Sequence, residues 1–305
     1  MFEDIPCEKS LGLGNRLSAG AAPIPPIRSC QNIRNTKHAP FSKAGKGYLG
    51  GSTLITGILC AIEGEIALLR EDMEISQICQ AAGREFYRGS LYGRETVLAL
   101  SGIGKVSAAV AATLLIERFH ADRVIFCGTA GGADLRLKVG DLVVADHTLQ
   151  HDVDLIGEPL FYIPGHPGAA LATDPVLSAR LARAAAEYLE EDMKQDIPAP
   201  VRETFGLTAP QVVMGTIASG DQFISSSEKG DWLREHIDNL KCVEMEGAAV
   251  GQVCCEFGVP HAIIRVLSDS ADESAPVDFD AFANQAARYF TSGTVRRLLM
   301  REAQF

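Results

Sequence analysis

Apolar and polar positions follow no period over residues 1–50, which carry Pro23-Ile24-Pro25-Pro26, several Gly and Ser, and scattered basic side chains. Such a stretch offers no continuous face to bury, and it is expected to be disordered or loosely attached. The pattern changes at residue 54. An unbroken apolar run over 54–62 reads as a strand covered on both faces. It ends in Glu63-Gly64-Glu65, and a helix through Leu69 would place Glu65 in a first turn, where a carboxylate also suits the helix dipole. Residues 84–91 and 95–100 read as hairpin arms about Tyr92-Gly93-Arg94. Ser101-Gly102-Ile103-Gly104-Lys105 opens an apolar helix over 106–119, and a buried strand over 123–127 runs into a second glycine loop, Gly128-Thr129-Ala130-Gly131-Gly132. Further on come a strand over 142–145, a loop over 155–169 displaying Phe161 and Tyr162, and a helix over 175–191. A charged, proline-bearing surface insertion over 192–208 is followed by a strand over 211–218, a helix over 229–236 and a last amphipathic helix over 279–299. Strands alternating with helices, with polar or glycine-rich turns after the strands, predict one α/β domain whose site lies along the strand ends.

The chemistry concentrates in residues 242–272. Cys242-Val243-Glu244-Met245-Glu246 alternates apolar and acidic positions, as at a strand end. Residues 247–257 form a small-residue helix without Lys or Arg, stopped by Gly258-Val259-Pro260. The apolar strand that follows carries only Arg265 and ends in Ser268-Asp269. Burying a charge without a partner costs several kcal/mol. One base among Glu244, Glu246 and Asp269 cannot neutralise all three, and titratable groups kept in such surroundings are characteristic of functional sites.

Composition narrows the partners. With 305 residues, 47% hydrophobic and 22% charged, the chain has the make-up of a soluble globular protein. A formal charge of −11 argues against nucleic acid or an anionic membrane surface, which need a basic footprint, and leaves a small neutral or cationic ligand. No apolar run reaches a membrane span, and residues 1–50 lack the order of a secretory signal, so a cytoplasmic protein is expected. Eight cysteines without a CxxC pair point to reduced thiols rather than to disulfides or zinc. His151-Asp152-Val153-Asp154 brings three potential metal ligands together, but with no second cluster to support a metal site it reads first as the polar end of a strand.

Several motifs occur together and in order: Ile62-Glu63-Gly64-Glu65, Ser101-Gly102-Ile103-Gly104-Lys105-Val106, Gly128-Thr129-Ala130-Gly131-Gly132, Val139-Gly140-Asp141, His151-Asp152-Val153-Asp154, Ser219-Gly220-Asp221, Val243-Glu244-Met245-Glu246 and Ser268-Asp269. In this the chain, from about residue 54 onward, resembles the 5′-methylthioadenosine/S-adenosylhomocysteine nucleosidases of the nucleoside phosphorylase superfamily. The resemblance implies a single catalytic domain over 51–305, with a central mixed β-sheet flanked by helices. It also implies hydrolysis of the N-glycosidic bond of 5′-substituted adenosines, with no cofactor or metal. On the same grounds Asp269 matches the acid that protonates adenine, oriented by Ser268, and Glu65 matches the residue that activates water. Thr129, Glu244 and Arg265 would help hold that water, beside Ala130 and Gly131. Glu246 would accept hydrogen bonds from the ribose hydroxyls, Phe223, Ile224 and Met245 would sandwich base and sugar, Ile103 would lie near the sugar, and Phe279 would line the 5′ pocket. A homodimer is implied, with Phe161 or Tyr162 of one chain closing the 5′ pocket of the other.

The chain departs from the family in Ile62, Gly64 and Thr129, and its loop after Asp152 is shorter. The alternatives are a phosphorylase, which would need arginines where Glu63 and Glu65 stand, and a nucleoside-binding protein without catalysis, which would be expected to lose Glu65 or Asp269 first.

Overall fold

The computed structural model describes residues 54–272 and 275–302, apart from the side chains of 276 and 277; the segment expected to be loose, 1–50, lies outside them. In chain order the elements are β1 (Thr56–Cys60), α1 (Glu63–Glu71), β2 (Glu74–Ala81), β3 (Arg84–Leu91), β4 (Arg94–Leu100), α2 (Lys105–Glu117), β5 (Arg123–Gly132) and β6 (Leu142–Gln150). They continue with β7 (Leu171–Ala172), α3 (Pro175–Glu187), a π-helical turn (Tyr188–Asp192), α4 (Met193–Asp196), α5 (Ala199–Thr204), β8 (Val212–Ser219) and α6 (Ser227–His236). Last come β9 (Leu240–Glu244), α7 (Gly247–Phe257), β10 (His261–Asp269), α8 (Ala275–Gln285) and α9 (Ala287–Glu302).

The strands form one mixed sheet in the order β10-β6-β8-β9-β5-β1-β4-β3-β2, with β7 on β6. Because β10 also pairs with β5, five strands close into a ring from which the other four main strands extend. The pairings of β1 with β4 and β5, and of β5 with β10, are parallel. Those strands are mainly apolar along their middles because both faces are covered. Successive residues alternate between two cores: Ile58, Cys60, Ile125 and Cys127 face α1, α3 and α9, while Leu59, Val124 and Phe126 face α2 and α7. Burial raises the thiol of Cys127 to about 12, as for a small hydrophobe rather than a reactive group.

Several expectations are corrected. The glycine run 128–132 is not a loop but the end of β5, and β6 runs on to Gln150. Strand β2 went unread because it is an outer strand with mostly exposed side chains. The supposed surface insertion at 192–208 contributes Met193, Ile197 and Leu207 to the core and continues α3 through the π-helical turn. The last helix is two, α8 and α9, which break at Ala286. Phe161 packs into its own chain's core, edge-on to Trp232 at 5.8 Å between centroids.

Candidate active site

Where β1, β5, β9 and β10 end, a cavity of about 660 Å³, open mouth included, separates α1 and α8 from the loop after β8. Its wall holds most of the residues singled out above: Glu65, Ile103, Thr129, Ala130, Gly131, Phe223, Ile224, Glu244, Met245, Glu246, Asp269 and Phe279. Arg265 and Ser268 lie behind that wall, both about 1% exposed. Four carboxylates but no Lys or Arg stand among the described lining residues. Ala61, Ile62, Gln222 and Val243 also line the cavity without having been assigned to it. Ala61, Ile62 and Val243 are aliphatic, which leaves no chemical signal in a sequence, and Gln222 went unassigned beside Phe223.

Glu65 is placed by the turn from β1 into α1. Its Oε2 accepts from the backbone N–H of Ala61 (2.9 Å) and Ile62 (3.2 Å), and its Oε1 from the N–H (2.8 Å) and hydroxyl (2.9 Å) of Thr129. All four acceptor positions of the carboxylate are thus engaged. Three donors are fixed backbone groups, while the Thr129 hydroxyl can turn and make room for a water. Beneath, Arg265 lies over the ring of Phe126 (4.2 Å to its centroid) and donates to Glu244, with Glu246 at 3.6 Å. The close approach depends on Gly128, where a Cβ would stand 2.1 Å from Arg265 Nη1 and 2.8 Å from Glu65 Oε1.

Glu244 and Glu246 differ in what they have to spare. The Glu244 carboxylate accepts from Ser219 Oγ, Arg265 and the N–H groups of Glu246 (3.1 Å) and Gly247 (2.8 Å), at the start of α7. Among the described residues Glu246 accepts only the Gly104 N–H (2.8 Å), which ties it to the first glycine loop and leaves acceptor capacity toward the cavity. Burial first, and then the charge of Glu244, push the Glu246 carboxyl up from the ordinary range.

Asp269 ends β10 opposite Gly131, where a Cβ would come within 2.8 Å of Oδ1. Its Oδ2 accepts the Ser268 hydroxyl (2.7 Å), and its Oδ1 the Ala271 N–H (2.8 Å). Those bonds favour the ionised form, but burial outweighs them and the acid is held above its ordinary value. It is therefore a carboxyl prepared to keep a proton inside an apolar pocket. At the mouth, Phe223 and Phe279 meet edge to face at 5.7 Å.

The His151–Asp154 cluster serves the loops instead of converging on a metal. Asp152 forms an ion pair with Lys105 and accepts the Asp221 N–H (2.8 Å), while the Lys105 N–H donates to Asp221 (2.8 Å). This triangle joins the loop carrying Ile103 to the loop carrying Phe223. The buried His151 ring lies against Gly220, where a Cβ would fall 2.3 Å away, and desolvation lowers its pKa. Asp154 is exposed.

The sequence pattern of the Phosphorylase superfamily matches residues 55–299. A 5′-methylthioadenosine/S-adenosylhomocysteine nucleosidase of Geobacillus thermodenitrificans is 41% identical over 234 residues, covering 76% of this chain and 91% of that protein. The nucleosidase of Neisseria meningitidis, solved with methylthio-immucillin-A, superposes with a TM-score of 0.70 at 39% identity, covering 81% of this chain and 99% of that one. That of Colwellia psychrerythraea, solved with adenine, gives 0.71 at 34%, covering 83% and 97%. The sheet, its ring of five strands and the carboxylate cavity at their ends thus belong to a chain that is a member of the phosphorylase superfamily and, within it, of the 5′-methylthioadenosine/S-adenosylhomocysteine nucleosidase family.

Proposed function

We propose that the carboxylate cavity hydrolyses the bond between C1′ and N9 of 5′-substituted adenosines, giving adenine and the 5-substituted ribose. The observation that carries this reading is a wall of four carboxylates with no arginine or lysine among the described residues, which disfavours phosphate and suits a sugar that becomes cationic as its bond breaks. Asp269 gives its proton to N7 of the departing adenine, with Ser268 holding the carboxyl in place. Water adds to C1′ and yields its proton to Glu65, as the Thr129 hydroxyl swings from the carboxylate to the water. Glu246 uses its spare acceptor positions for the ribose 2′ and 3′ hydroxyls. Glu244 and Arg265 hold that frame from behind, and Phe223 and Met245 cover base and sugar. The relatives solved with adenine and with a nucleoside analogue support the same ligand class.

The test is adenine release from 5′-methylthioadenosine, S-adenosylhomocysteine, 5′-deoxyadenosine and adenosine, with and without phosphate. Release independent of phosphate, with free sugar as product, is expected. A strict phosphate requirement would establish a phosphorylase, and tight binding without release a nucleoside-binding protein.

The same reading gives a cytoplasmic homodimer. Ile103 (59% exposed), Val106 (76%) and Ile156 (fully exposed) present apolar surface, and Ile103 also lines the cavity. Covering that face with a second copy would narrow the mouth, with Tyr162 the remaining aromatic candidate to cross. Sedimentation of Val106→Glu as an active monomer would overturn the arrangement.

A further inference from the structure

A second cavity, of about 1140 Å³ with its open mouth, lies at the opposite end of the strands. Thr56, which begins β1, lines it, whereas Ala61 just beyond β1 lines the carboxylate cavity. At about 3.3 Å per residue the two are a strand's length, roughly 16 Å, apart. Five arginines surround this second cavity: Arg94 of β4, Arg123 of β5, Arg180 and Arg183 of α3, and Arg301 of α9. In a chain of net charge −11 this is a local reversal of sign.

Among the described residues, neutralisation of the cluster is incomplete. Glu302 accepts from Arg123 (2.7 Å) and lies 3.6 Å from Arg180, while Glu187 accepts from Arg183 (3.1 Å) and Arg301 (2.8 Å). Two carboxylates are thus shared among four guanidinium groups. Arg94 has no ion-pair partner among the described residues, and its buried Nε has no acceptor. Like charges gathered around a cavity repel one another, and an anion in their midst reverses the sign of that energy. Guanidinium forks also match phosphate oxygens two at a time.

We propose that this cavity binds a compact chain of two or three phosphate groups, at a site separate from the carboxylate cavity. Guanidinium groups spread over β4, β5, α3 and α9 around a wide space suit several linked phosphates better than one.

The test is calorimetric titration of the full chain with inorganic phosphate, pyrophosphate and tripolyphosphate at low ionic strength, and then again with added salt. Affinity should rise by about tenfold or more from phosphate to tripolyphosphate and fall as salt is added. Arg94→Gln and Arg183→Gln should each weaken tripolyphosphate by about tenfold, the worth of a lost charged hydrogen bond. Arg136→Gln, on the exposed turn after β5, should not. Arg94 has no ion pair to lose and Arg183 is largely exposed, so either variant suffices should the other fail to fold. Tripolyphosphate should also raise the melting temperature of the unaltered protein and not that of Arg94→Gln. Titration with Glu65→Gln, which alters only the other cavity, should be unchanged. No saturable binding at millimolar tripolyphosphate, or equal binding by both cavity variants, would overturn the proposal; so would loss of binding in Glu65→Gln, which would place the anion among the carboxylates.

Discussion

At the scale of single residues, the proposed chemistry rests on carboxylates set apart by their surroundings. Glu65→Gln keeps the shape of the site but cannot take the proton of water, so turnover should fall at least a hundredfold while nucleoside binding persists, as steady-state rates and calorimetry would show together. Near-normal adenine release would leave Glu65 only its place in the first turn of α1. Asp269 holds its proton above the ordinary carboxylate range because it is buried. The rate should therefore fall as pH rises through that raised value, and the falling limb should vanish from the much weaker activity of Asp269→Asn. Gly128 was legible only as part of a glycine run; its actual duty, admitting Arg265 and Glu65 to the backbone of β5, depends on contacts between distant segments. Gly128→Ala should therefore cost about 1–3 kcal/mol of stability by overpacking, measured by denaturant unfolding, and displace Glu65 enough to cut the rate.

At the scale of elements, long apolar strands and helices announce themselves, and β1, α2, β8 and β10 stand close to where their patterns place them. What escaped has local causes. Glycines at 128–132 look like a loop, yet β5 keeps them extended because β10 pairs along the whole run as far as Gly131. In 193–197 the apolar pair Met193 and Ile197 sits one helical turn apart among charged neighbours, so the face turned to the core is narrow and easily missed. The break between α8 and α9 has neither glycine nor proline to mark it. Of the site, Glu244, Glu246, Arg265 and Asp269 were legible from the residues themselves, because charge is costly to bury without purpose; the roles of Glu65, Phe223, Phe279 and the aliphatic lining came with the family resemblance, and Ala61, Ile62, Gln222 and Val243 were missed. His151-Asp152 was legible as a cluster but not as a brace. Asp152→Asn should weaken the ion pair to Lys105 and loosen both loops, raising KM for nucleosides severalfold with a smaller change in kcat, since neither loop carries Glu65 or Asp269. A fall in kcat alone, with KM unchanged, would speak against that role.

At the scale of the whole molecule, Asp269 and Glu246 link folding to protons. Both are raised in the folded chain, so each favours the folded state fully below the ordinary carboxylate value, near 4, and that contribution is lost as pH rises through its raised value. The melting temperature should therefore decline over that interval, and less steeply in Asp269→Asn. The closed ring of strands has a further consequence, one of timing. Glu65 and Asp269 are 204 residues apart, and β5 gains its β10 neighbour only when the last strand has been made. Gly132, the end of β5, and Asp269 are 137 residues apart, so at about 5–20 residues per second translation leaves an interval of roughly 7–27 seconds in which β1, α1 and β5 exist with the proposed base and no acid opposite. A growing chain therefore holds no part-strength catalyst. One side of β5 lacks its β10 neighbour until the last strand is made, and the proposed acid and base meet only when β10 joins the ring.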